Sequence, residues 1–222
     1  STRPGSTPVP AAEQIRRVIP VIRLIRQNSP APISVDTTRW EVAAAAVAAG
    51  ACLVNDVSAG RDDPVMLGGV ARAGVPIILM HMLGSPGTMQ QNPQYDDVTT
   101  EVIQFLTDRM DAAVSAGVDP SRILLDPGLG FGKTATHNLT LLRDLPRLTA
   151  LGRPVVIGAS RKSFIGKVLD ESDPHRRLFG HAAVISWCAA NGAAVLRVHD
   201  VGPMSQVAKM TRAIRYGEIR ND

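Results

Sequence analysis

Six short apolar runs in this 222-residue chain each end beside a residue that can do chemistry. They are PISVDT at 32 to 37 with Asp36, CLVND at 52 to 56 with Asn55, VPIILMH at 75 to 81 with Met80, ILLDPG at 123 to 128 with Asp126, PVVIGASRK at 154 to 162 with Gly158 and Lys162, and AVLRVHD at 194 to 200 with Arg197 and His199. Two carboxylates offer acceptors, Asn55 both donates and accepts, and Lys162 is a compact cation. Arg197 and His199 stand two apart, the spacing that puts side chains on one face of a strand, and an arginine forks onto the oxygens of an anion. Singly, an Asp or Asn after a strand is an ordinary turn former or helix cap. Brought together, they offer acceptors and cations to one small molecule.

Bringing them together is the task of the elements. Strand C-termini of a parallel βα barrel converge on one mouth, so the six run ends share a single site there. Helical periodicity fills the intervals: 11 to 27, 39 to 49, 62 to 73, 98 to 116, 136 to 149, 178 to 191 and 203 to 217. Pro20 should kink or shorten the first helix, while Asp97 caps the start and Gly117 the end of the fourth. A helix start near Pro203 would add backbone N–H groups to an anion site.

One helix followed by six strand-helix units is an α/β arrangement with a parallel sheet. An open sheet gathers its ligand groups at one switch point, whereas here every run ends in polar chemistry, which favours a TIM (β/α)8-type barrel. A full barrel takes about 250 residues. Six of eight units are expected here, the first two strands falling before residue 1, and STRPGST reads as a loop leaving a strand that is not present.

Composition gives one domain over residues 1 to 222: the chain is 45% apolar with no internal shift. No window approaches the ~18 apolar residues of a membrane span and no signal pattern opens the sequence, so a soluble cytoplasmic protein that uses no membrane is expected. Against 20 acidic residues stand 24 scattered basic ones, without the runs or aromatic interleaving of a nucleic-acid binder. Cys52 and Cys188 sit in apolar segments and read as inert core thiols. The five histidines show no HExxH or close pairing, so a protein-only zinc site is not expected. GLGFGKT at 128 to 134 imitates a phosphate loop, but Pro127 stands where that loop needs glycine, and the glycines do not form a dinucleotide fingerprint.

Seven strings taken in order are specific: STRPG at 2 to 5 in part, SVDTTR at 34 to 39, VNDVSAG at 54 to 60, LMHMLGSPGTMQ at 79 to 90, DPGLGFGK at 126 to 133, GASRKS at 158 to 163 and RVHD at 197 to 200. Their order and spacing resemble the dihydropteroate synthases, from the first residue to about residue 216. That resemblance implies condensation of 6-hydroxymethyl-7,8-dihydropterin pyrophosphate with p-aminobenzoate, giving 7,8-dihydropteroate and pyrophosphate in folate biosynthesis.

The resemblance also distributes roles. Asp36, Asn55, Met80, Asp126, Gly158 and Lys162 would contact the pterin. Thr2, Arg3, Pro4, Phe131 and Ser163 would surround p-aminobenzoate. Arg3, Arg197 and His199 would hold the pyrophosphate, with Lys162, Asp126, Arg197 and His199 carrying catalysis. It further implies Mg2+ as cofactor, a family Asn ligand for that ion lying before residue 1 and no metal ligand within the chain, a homodimer through the last barrel helices, and sulfonamides as mimics of p-aminobenzoate. A piece lacking two strands is expected to be a weak catalyst. Three alternatives remain: a non-catalytic pterin-binding module, a pterin-dependent methyltransferase domain, for which SRKS and RVHD have no evident use, and a generic phosphosugar barrel.

Overall fold

Each strand lies beside the one before it. In the computed structural model, which describes residues 9–85 and 87–219, β1 (Ser34–Asp36), β2 (Leu53–Asp56), β3 (Ile77–Met80) and β4 (Ile123–Asp126) pair in parallel in chain order. A parallel bridge from Leu125 to Val155 continues the series to β5 (Val156–Ile157), which pairs with β6 (Val195–Leu196). Order never reverses, so no switch point forms, and the six strands make an arc of a TIM-barrel-type α/β fold.

The helices cover the outside of that arc: α1 (Ala11–Asn28), α2 (Trp40–Ala48), α3 (Met66–Ala73), α4 (Val98–Ser115), α5 (Ala135–Arg143), α6 (Leu145–Thr149), α7 (Ser163–Leu169), α8 (Leu178–Ala190) and α9 (Val201–Tyr216). All four residues of β3 are buried because helices lie on one side and the barrel interior on the other. The Asp97 carboxylate accepts from the Thr99 and Thr100 N–H groups and starts α4, whose Val98, Val102, Leu106 and Ala113 enter the core. Trp40 lies flat on α3 at Gly69, where any side chain would strike its ring.

Several expectations need correcting. Pro20 does not shorten α1, which runs on to Asn28; the hydrogen bond it cannot make would end on Arg16, on the solvent side, where water can serve. The helix expected from 62 begins at Met66, because the Asp63 carboxylate is occupied by the Trp40 and Val65 N–H groups. The 136 to 149 segment divides at Asp144, just ahead of Pro146. Helix α7 was not anticipated, and α9 starts at Val201 rather than Pro203. Cys188 is buried but Cys52, just before β2, is exposed, its thiol 3.5 Å from the Ile33 carbonyl. No helix among the described residues is long and apolar enough to cross a membrane.

Candidate active site

Register decides which side chains face the barrel interior together. Asp36 pairs with Asn55 across β1 and β2, Asn55 with Ile78, and Ile78 with Leu124, so these four stand at one level. Met80 and Asp126, themselves paired, lie two residues further along and therefore on the same face. The Leu125–Val155 bridge carries the parity on to Val156 and so to Gly158, and extending the β5–β6 register one step sets Gly158 beside Arg197. A β-carbon built on Gly158 would meet the Arg197 Cβ at 3.9 Å. Residues from six strands thus share one mouth.

Their bonds to one another are short. Asn55 Nδ2 donates to Asp36 Oδ1 at 2.8 Å, and Arg197 Nη2 donates to Asp36 Oδ2 at 2.6 Å. Both Asp36 oxygens are engaged by the protein, and each keeps a lone pair for a further donor. Asn55 is the reverse case. A carboxylate can only accept, so Asp36 fixes the amide with its NH2 inward, and Asn55 Oδ1 is left buried without a donor among the described residues. Such an acceptor is costly unless something donates to it.

Asp126 is buried, and one oxygen accepts from the Gly128 N–H at 2.7 Å. Burial pushes its carboxyl pKa up, opposed by the charges of Lys162, Lys133 and Arg197 and by the Gly128 bond. Lys162 is half-buried at the start of α7, donating to the Leu129 carbonyl with its ammonium 4.9 Å from the centre of the Phe131 ring. Desolvation lowers it to about 8, Asp126 resisting and Arg197 assisting. Met80 is buried with Val57, Met82 and Met89, with Phe131 packed against them. Ser163 is exposed one residue beyond Lys162.

Arg197 and His199 are both exposed, though β6 ends at Leu196, before either. The ladder persists one step further through Arg197 N–H to the Ile157 carbonyl at 2.9 Å. Their side chains then diverge, Arg197 toward Asp36 and His199 Nδ1 to Ser160 Oγ at 2.8 Å. Thr2, Arg3 and Pro4 lie outside the described residues.

Sequence reasoning missed the support beneath this surface. Lys133 is buried, with its ammonium 2.8 Å from His81 Nδ1 and 3.1 Å from both the Gly128 and Phe131 carbonyls. His81 is lowered to about 3 by burial and the nearby Lys133 and Arg61 charges, so its neutral ring accepts from Lys133. Gly128 needs its positive φ of 66°, and a side chain there would strike the His81 carbonyl. Gln90, Tyr95 and Asn138 tie down Gly130 and Gly132 from outside. The glycine-rich string is therefore a wall of the mouth bearing Phe131, and Lys133 is its anchor.

Residues 1–199 match the family model for pterin binding enzymes. The chain belongs to the dihydropteroate synthase family. It is 49% identical over 214 residues to the dihydropteroate synthase of Synechocystis, an alignment spanning 96% of this chain and 74% of that protein. The structure of the Xanthomonas albilineans dihydropteroate synthase with 4-aminobenzoic acid superposes with a TM-score of 0.91 at 47% identity, covering 97% of this chain and 76% of that one. The same synthase in complex with 7,8-dihydropteroate matches with a TM-score of 0.88 at 45% identity, over 95% of this chain and 77% of that one. In that family setting the strand-end residues above acquire their chemistry.

Proposed function

We propose that this chain condenses 6-hydroxymethyl-7,8-dihydropterin pyrophosphate with p-aminobenzoate to give 7,8-dihydropteroate and pyrophosphate. The observation that carries the reading is Asn55 Oδ1, a buried acceptor with no donor among the described residues, which a ligand N–H reaching the mouth would satisfy. A pterin edge presents amino and ring N–H donors. Asp126, with one oxygen committed to Gly128 and the other without a donor among the described residues, is the second acceptor on the same face.

The C–O bond between the pterin methylene and pyrophosphate breaks, and its electron pair leaves with the anion. Positive charge spreads into the pterin ring, where Asp126 and the Asn55 carbonyl stabilise it. The p-aminobenzoate nitrogen then forms the C–N bond and sheds a proton. Arg197 and His199, exposed at the end of the last strand, receive the leaving anion. Lys162, beside Phe131, marks the meeting point of the two reactants. Positioning and charge stabilisation supply the rate, and no protein nucleophile is needed.

Among the described residues no group of three or more His, Cys, Asp or Glu side chains could hold a metal ion. Magnesium, which the resemblance implies, would accompany the pyrophosphate and neutralise its charge as it leaves. The chain pairs as a homodimer through α8 and α9, a reading supported by Phe179 at 87% and Ile214 at 72% exposure. It works in the cytoplasm on soluble substrates.

The test is pyrophosphate release from the dihydropterin pyrophosphate with magnesium, with and without p-aminobenzoate. Release that depends on p-aminobenzoate and falls steeply, to a measurable residue, in Lys162→Ala and Asp126→Asn is expected. Pterin binding with no release would select the non-catalytic binding module instead.

A further inference from the structure

The lysine-bearing loop is held from behind by a residue that faces no substrate. Arg177 is only 8% exposed, yet it has no carboxylate partner among the described residues. Its guanidinium donates to carbonyls alone: Nε to Glu171 at 3.0 Å, Nη1 to Arg161 at 3.1 Å and to Lys162 at 3.4 Å, and Nη2 to Ser172 at 2.6 Å. A buried cation is tolerated only when its donors are satisfied, and a rigid planar fork satisfies four carbonyls in few poses.

Two independent features converge on this contact. Arg161 has a φ of +62°, a left-handed conformation that strains a side-chain-bearing residue and persists only where its surroundings impose it. Its carbonyl is one that Arg177 grips. On the other side, α7 is hollowed to admit the guanidinium and a carbonyl that it holds: a β-carbon at Gly166 would strike the Glu171 carbonyl and lie 2.5 Å from Arg177 Nε and 2.6 Å from Cζ.

We infer that Arg177 is the positioning residue for Lys162, fixing the left-handed turn at Arg161 that aims the lysine at the Leu129 carbonyl and the Phe131 ring. This rests on the synthase reading for its meaning but not for its geometry. Arg177 touches neither reactant and acts through the loop. Release that loop, and Lys162 swings into water, away from the place where pterin and amine meet.

The chain has four lysines, at 133, 162, 167 and 209, so reductive methylation with 13C-formaldehyde gives a simple NMR spectrum in which Lys162→Arg assigns one signal. In Arg177→Met the Lys162 signal should titrate higher than in the wild type by at least about one pH unit, as solvation returns. Gly166→Ala, which crowds both the guanidinium and the Glu171 carbonyl that it holds, should move the signal the same way. In turnover, Arg177→Met should lower kcat by about 10–100-fold with a smaller change in KM, and should cost nothing further when added to Lys162→Ala. A folded Arg177→Met or Gly166→Ala protein with Lys162 titrating as in the wild type would overturn the assignment, as would kcat losses that multiply independently. Absence of p-aminobenzoate-dependent release in the wild type would overturn the synthase reading instead, leaving the titration to judge Arg177 alone.

Discussion

Arg197 Nη2 reaches Asp36 Oδ2 at 2.6 Å, joining the end of the last strand to the end of the first across 161 residues of chain. The contact shows how far the arc of strands curls, since side chains from its two ends meet across the mouth although β1 and β6 are not paired with each other. Energetically it is a modest clasp. The pair is 63% and 40% exposed, and such ion pairs contribute about 0.2–1 kcal/mol.

That magnitude separates two roles for Arg197. Arg197→Ala should change Tm by no more than about 4 °C. Losing a forked contact to pyrophosphate should raise KM for the dihydropterin pyrophosphate at least about tenfold, with Arg197→Lys recovering only part. Thermal melts and steady-state kinetics on the same preparations check both. A large drop in Tm with KM unchanged would make the residue a strut and nothing more.

Asn55 gives a sharper contrast. Asn55→Ala removes the acceptor and should weaken pterin binding about tenfold, the worth of one hydrogen bond in a buried site. Asn55→Asp keeps the oxygen but sets a second carboxylate where an NH2 now lies 2.8 Å from Asp36. Repulsion should then disturb the Asp36–Arg197 clasp as well, and binding should fall about a hundredfold. Fluorescence titration with the dihydropterin pyrophosphate measures both. Equal losses would mean the Asp36 contact is immaterial.

The apolar face on α8 and α9 makes its own prediction. A glutamate in place of Phe179 or Ile214 puts a charge into the proposed twofold interface on both subunits, where burial against an apolar surface is costly. Sedimentation should show dimers for the wild type and monomers for Phe179→Glu with Ile214→Glu. A wild-type chain that sediments as a monomer at all concentrations would remove the dimer from the reading.

Much of this was legible in sequence, and the reasons differ by residue. Asp36, Asn55, Met80, Asp126, Gly158 and Arg197 could be placed on one mouth because each stands at the end of an apolar run, and strand C-termini of a parallel barrel converge. Their partners were not visible. Nothing in the string HRRLFG marks Arg177, rather than Arg176, as the one that turns inward to four carbonyls. The bond from Arg197 to Asp36 was hidden as well, because it depends on curvature, which no local pattern encodes. Pro20 misled because its penalty depends on whether the lost bond faces core or water. Cys52 misled for a similar reason: an apolar neighbourhood in sequence does not guarantee cover at a strand's beginning. Helix α7 followed too closely on SRKS to show a period.

Lys133 sits where chemistry and stability meet, and its pH dependence can be signed. Burial, with the Lys162 charge assisting and Asp126 resisting, lowers it to about 7 from the usual 10.5. Between those values the unfolded chain holds a proton that the folded chain has shed, so stability rises as pH increases from about 7 toward 10.5. His81, lowered from 6.5 to about 3, has the same sign in its own window below pH 6.5. Asp126, raised from 3.8, opposes just above that value. In Lys133→Met the titrating amine is gone, so the Tm advantage of the wild type over the variant should widen from pH 7 to pH 9. The variant also leaves His81 Nδ1 and the Gly128 and Phe131 carbonyls without their donor, which loosens the wall beside p-aminobenzoate. Its KM for p-aminobenzoate should rise while pterin affinity changes little. A Tm difference that stays flat across that range would show that Lys133 remains charged when folded, held by Asp126 more strongly than burial opposes it.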